Sequence, residues 1–110
     1  MASEYRYQLT QKAAADLDDI ASYMSVELSN PKAASNFMEK LAQTIQETVA
    51  FPMSGTLVNN EFVPDVGVRK KVIGNYLMYY LPDPEQKIIY IIRLVYGRRN
   101  MDEILRSLEM

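Results

Sequence analysis

The stretch that most constrains this chain is Lys87-Ile88-Ile89-Tyr90-Ile91-Ile92-Arg93-Leu94-Val95-Tyr96. It is dominated by β-branched and aromatic residues, so it reads as a strand. Both of its alternating sets are apolar, which places it in the middle of a sheet. Two further strands precede it, Val66–Ile73 and Tyr76–Leu81. Gly74-Asn75 is a tight-turn signal between them, and Pro82-Asp83-Pro84-Glu85-Gln86 turns the chain into the central strand. Gly97 ends that strand, and Asn100 can cap a short last helix with Glu103 at the capping-box position.

The first half of the chain has a different period. Tyr5–Leu9 alternates apolar and polar residues and predicts a short strand. Thr10 can cap the helix that follows, in which Ala13, Leu17, Ile20, Met24 and Leu28 recur at helical spacing. Asn30-Pro31 starts a second helix, with Ala34, Phe37, Leu41, Ile45 and Val49 as its stripe and Pro52 as its limit. Two helices with so short a link fold back as an antiparallel hairpin. Residues 52–66 show no period and read as an irregular loop. The expected fold is α+β: an N-terminal strand, then a helical hairpin packed on a small antiparallel sheet, then a short C-terminal helix. Residues 1–110 make one domain. The hairpin covers one sheet face, and the other is expected to carry polar side chains and meet a partner.

Composition removes much chemistry. There is no His and no Cys, which excludes Ser-His-Asp catalysis, thiol chemistry, disulfides and thiolate zinc sites. No cofactor and no metal is expected. Asp16, Asp18 and Asp19 could suggest a cation, but Asp18 leaves the shared helix face and no further ligand is evident, so a solvated helix face is the expectation. No apolar run reaches the length of a membrane span, and the N-terminus lacks the core of a signal peptide, so a cytoplasmic protein is expected.

The net charge of −2 conceals an asymmetry, since residues 1–66 carry net −5 and residues 67–110 net +3. The chemistry therefore concentrates in the C-terminal third. Arg69 and Lys71 alternate with Lys70 and share one face of their strand. Arg98 and Arg99 follow Gly97 and could converge with Arg69 if the registers agree. Such a cluster can fork onto phosphates or carboxylates, or it can simply guard a sheet edge with charge. Arg93 interrupts the central apolar run and needs a structural partner. Most tyrosines of the sheet belong in or near the core, while Tyr96 beside Gly97 remains a site candidate.

The chain resembles the RelE/ParE family of bacterial toxins over about residues 5–105. The resemblance is carried by Leu9-Thr10 leading into Ala14-Ala15-Asp16-Leu17-Asp18-Asp19-Ile20, by Ala33-Ala34-Ser35-Asn36-Phe37, by Phe51-Pro52 and Gly55, by Arg69, by Tyr76-Leu77-Met78-Tyr79-Tyr80, and by Ile91 through Asn100. It implies a growth-inhibiting toxin neutralised by a cognate antitoxin, as a homodimer or a hetero-oligomer with it, reaching operator DNA only through that antitoxin. The family divides by target. ParE-like members bind DNA gyrase, whereas RelE-like members cut mRNA in the ribosomal A site. The Gly97-Arg98-Arg99-Asn100 ending is more similar to the ParE-like side, with Arg69, Lys71, Tyr96, Arg98, Arg99 and Asn100 as the implied target-binding set. If the chain is RelE-like, Arg69, Lys71, Arg99 and Tyr96 would be catalytic. No tyrosine or histidine follows Arg99, a departure from the RelE-like pattern. A member that only binds its antitoxin is the third reading.

Overall fold

The computed structural model describes residues 4–58 and 67–97. Its elements run β1 (Arg6–Leu9), α1 (Gln11–Ser22), a π-helical turn (Tyr23–Glu27), α2 (Pro31–Ala50), β2 (Thr56–Leu57), β3 (Arg69–Ile73), β4 (Tyr76–Asp83) and β5 (Ile88–Tyr96). They form a five-stranded sheet of order β1-β5-β4-β3-β2 against which the helices pack.

The expected meander is present, with β3, β4 and β5 pairing antiparallel. β5 is an interior strand, as its two apolar faces required. The sheet is mixed rather than wholly antiparallel, because β1 runs parallel to β5 from Arg6↔Ile88 to Leu9↔Ile91. A two-residue strand, β2, also pairs with Arg69 and Lys70 inside the segment expected to be loop. It is too short for alternation to register.

Both helix starts follow their local signals. The Thr10 hydroxyl oxygen accepts the Ala13 N–H at 3.2 Å, and the Asn30 side chain accepts the Ala33 N–H at 3.0 Å with Pro31 opening the helix. The first helix does not continue as α to Leu28. The Leu28 N–H reaches back five residues to the Tyr23 carbonyl at 3.0 Å. The Ser25 hydroxyl donates to the Ala21 carbonyl at 2.8 Å, competing for the acceptor that an α-helix would give the Ser25 amide. The expected last helix with Asn100 and Glu103 lies outside the described residues.

The main core lies between helices and sheet, where Ala13, Ile20, Phe37, Leu41 and Ile45 meet Ile73, Met78, Tyr80, Ile89, Ile91 and Leu94. The opposite sheet face corrects an expectation. It holds a second buried apolar cluster of Val68, Tyr79, Ile92 and Val95, edged by Val58, Leu77, Leu81 and Tyr90. A strand apolar on both faces demands cover on both, so a polar outer face was incompatible with β5 itself.

A register shift separates these faces on β5. Tyr79 pairs with Arg93 and Tyr80 with Ile91, leaving Ile92 as the extra residue of a bulge. After it, Leu94 joins the helix-side core while Val95 points to the outer cluster.

Candidate functional site

β3 carries the basic residues. Arg69 pairs with Tyr80 and Lys71 with Met78, both of which face the helices. Lys70 pairs with Tyr79 on the other face. The two-residue alternation expected from the sequence therefore holds, but the shared face is the helix side.

Arg69 is tied into the backbone there. Its Nη1 donates to the Met53 carbonyl at 3.0 Å and to the Gly55 carbonyl at 2.8 Å. The neighbouring Tyr80, fully buried, completes the lock from beneath. Its hydroxyl donates to the Pro52 carbonyl at 2.9 Å and accepts the Gly55 N–H at 2.8 Å. Burial pushes the Tyr80 phenol up, opposed by the Gly55 amide, the Arg69 charge and Ser54. Gly55 has to be glycine, since a Cβ there would lie 2.5 Å from the Tyr80 hydroxyl and 2.9 Å from the Lys70 carbonyl. Lys71 is half-buried, and desolvation pulls its ammonium down while Glu47 works in the opposite sense.

The register decides whether the basic residues can converge. The Gly97 N–H donates to the Asn75 carbonyl at 2.8 Å, so β5 ends beside the β3–β4 turn. Arg69 starts β3, at the other end of the strand from that turn. The four intervening steps correspond to roughly 13 Å of strand. Tyr96 lies at the Gly97 end, paired with Tyr76 and in edge contact with its ring at 5.6 Å. Arg69 and Lys71 are thus near neighbours, while Tyr96 is separate from Arg69. Arg98, Arg99 and Asn100 lie outside the described residues.

Arg93 finds the partner its position demanded. Its Nε donates to Asp16 Oδ2 at 2.7 Å and its Nη2 to Asp16 Oδ1 at 3.1 Å. Both side chains are largely buried, with 14% and 16% of their surface exposed. Asp16 Oδ2 also accepts the Leu94 N–H at 3.0 Å. β1 ends opposite Ile91, so this ladder donor would otherwise lack a partner on that edge. Asp16 is therefore a structural carboxylate, not part of a solvated face; Asp18 and Asp19 are exposed as expected.

A groove of about 880 Å³ opens between α1 with its π-helical turn and the ends of β4 and β5. Asp19, Tyr23, Tyr76, Arg93 and Tyr96 contribute to its walls. Sequence reasoning singled out Tyr96 alone from this set as a site residue. The i, i+4 spacing of Asp19 and Tyr23 was the available signal, but nothing local says which strand end that helix face meets. Among the described residues no three carboxylates gather as a metal site, and no helix is long and apolar enough to cross a membrane.

Chains from two solved toxin–antitoxin assemblies share this architecture. A chain of the chromosomal ParDE toxin–antitoxin system from P. aeruginosa superposes with a TM-score of 0.65 at 23% identity, covering 84% of this chain and 95% of that one. A chain of the toxin–antitoxin complex RelBE2 from Mycobacterium tuberculosis gives a TM-score of 0.60 at 18% identity, covering 86% and 92%. At these identities the likeness concerns the fold. Among curated proteins, none matches the chain. The family model of the ParE toxin of the type II toxin–antitoxin system parDE matches residues 7–101. The chain belongs to the ParE toxin family of type II toxin–antitoxin systems.

Proposed function

We propose that this toxin arrests growth by binding and inhibiting DNA gyrase, and that a cognate antitoxin neutralises it. The observation that carries the reading is the engagement of Arg69 and Tyr80 in holding the segment after α2, through the bonds to Met53, Gly55 and Pro52. Metal-free RNA cleavage needs a base, an acid and cations gathered within reach of one phosphate. Here the arginine is bonded to backbone carbonyls, the adjacent phenol is buried with its pKa raised, and Tyr96 lies a strand length away. Such a surface suits gripping a partner better than moving protons. Lys71, Tyr96, Arg98, Arg99 and Asn100 are the residues proposed to make that grip, with Arg69 setting the shape of its edge.

Purified toxin at micromolar concentration is expected to block supercoiling by purified gyrase, and unimpaired supercoiling would overturn the reading. Primer-extension mapping on translating ribosomes supplies the competing outcome. Cuts in the A-site codon that vanish in Arg99→Ala would transfer the chain to the mRNA-cleaving side of the superfamily. Induced expression without growth arrest would leave an antitoxin-binding protein alone.

A further inference from the structure

Asp19 and Tyr23 lie one turn apart where α1 passes into the π-helical turn, so their side chains leave the same helix face. That face meets the groove opposite Tyr96. Tyr23 is 50% exposed and Tyr96 38%, so both rings are accessible. The charges of Asp16 and Arg93 satisfy each other, whereas Asp19 has no ion-pair partner among the described residues. Among the described residues the groove therefore offers one carboxylate without an ion-pair partner, Asp19, beside accessible aromatic rings. A guanidinium or ammonium group fits both, through charge-assisted hydrogen bonds and cation–π attraction.

The same edge discourages strand addition. The Leu94 N–H is occupied by Asp16, and the Ile92 carbonyl accepts the Thr10 hydroxyl at 3.2 Å. An incoming segment must engage this groove with side chains rather than with a backbone ladder, which favours a helix over a strand.

We propose that the groove receives an arginine or lysine side chain from a helical segment of the antitoxin, held by Asp19 and the rings of Tyr23 and Tyr96. The proposal rests on the reading of the chain as an antitoxin-neutralised toxin, and it adds the chemistry of one anchor.

Two measurements test it. In the first, the isotopically labelled toxin is titrated with N-acetyl-arginine methylamide, and separately with the uncharged citrulline analogue. The arginine compound is expected to shift the amide resonances of Asp19, Tyr23 and Tyr96 in the millimolar range. The citrulline compound should not, and Asp19→Asn should abolish the effect at unchanged melting temperature. Equal shifts from both compounds, or none from either, would overturn the subsite. In the second, the adjacent reading frame is sequenced and its product, as the candidate antitoxin, is titrated into the toxin. Asp19→Asn and Tyr23→Leu are each expected to weaken the complex about fivefold at low salt, and by less at roughly 0.5 M salt. Wild-type affinity in both variants would overturn the groove as the docking place while leaving the toxin reading intact. If the arginine titration succeeds but the neighbouring protein does not bind the wild-type chain, the antitoxin reading fails and the proposed occupant with it.

Discussion

At Tyr80 one side chain joins two regions that the sequence keeps 25 residues and more apart. Its ring is core and its hydroxyl is the anchor of the segment after α2. Tyr80→Phe keeps the packing but leaves the Gly55 amide and the Pro52 carbonyl short of a partner. A loss of about 1–2 kcal/mol in urea unfolding is expected. The sign of the pH effect follows from burial. The folded phenol titrates above its ordinary value, so its contribution is intact below pH 10.0, the unfolded value, and is lost as pH rises through the folded pKa. Tyr79, fully buried, adds to the same alkaline loss. Unfolding measured across this range should show stability falling with pH, with a shallower fall in Tyr80→Phe. Asp16 poses a different test. Asp16→Ala removes the carboxylate that accepts from both the largely buried Arg93 guanidinium and the Leu94 N–H, and a cost of about 3 kcal/mol is expected. Asp16→Leu combined with Arg93→Met should cost less, because the largely buried cation is removed together with its carboxylate; a larger loss in the double variant would count against this account. The sequence made Arg93's need for a partner plain, but 77 residues separate the pair and no local rule selects Asp16 from its acidic neighbours.

Among the elements, the β1–α1 junction shows how a short parallel strand is held. β1 has only four residues, and Thr10 continues its pairing, with its N–H to the Ile91 carbonyl at 3.0 Å and its hydroxyl to the Ile92 carbonyl. The same hydroxyl caps α1. Thr10→Ala removes both roles, and a destabilisation of about 1–2 kcal/mol by thermal or urea unfolding is expected; Thr10→Ser should recover most of it. Helix starts were legible because caps are local. The π-helical turn was not, since an apolar stripe at helical spacing does not reveal a hydroxyl competing for a carbonyl. The short β2 was also hidden, because its pairing depends on where Arg69 and Lys70 arrive from elsewhere in the chain. Amide exchange should expose this hierarchy. The Thr56–Val58 amides are expected to exchange at least about a hundredfold faster than those of Ile89–Ile92, because a two-residue edge strand opens locally and β5 does not.

Across the whole molecule, the helical hairpin, the meander and the interior position of β5 were all in the sequence, because periodicity records which faces must be buried. The candidate cluster was legible as a set of residue types. The absence of His and Cys restricted its chemistry, and the placing of Arg69 and Lys71 on one strand face, with Lys70 on the other, was correct. Its geometry was not legible. The register of β3, β4 and β5 puts Arg69 and Tyr96 at different ends of the sheet, and only strand pairing fixes a register. The parallel placement of β1, the buried outer face and the Asp19–Tyr23–Tyr96 groove share that dependence. Local sequence determined which segments are helix and strand and which side chains must be covered, since those are properties of neighbours along the chain. Tertiary structure alone decided which charges meet and which aromatic rings stay open, because that requires residues tens of positions apart to be brought together by the burial of the two sheet faces.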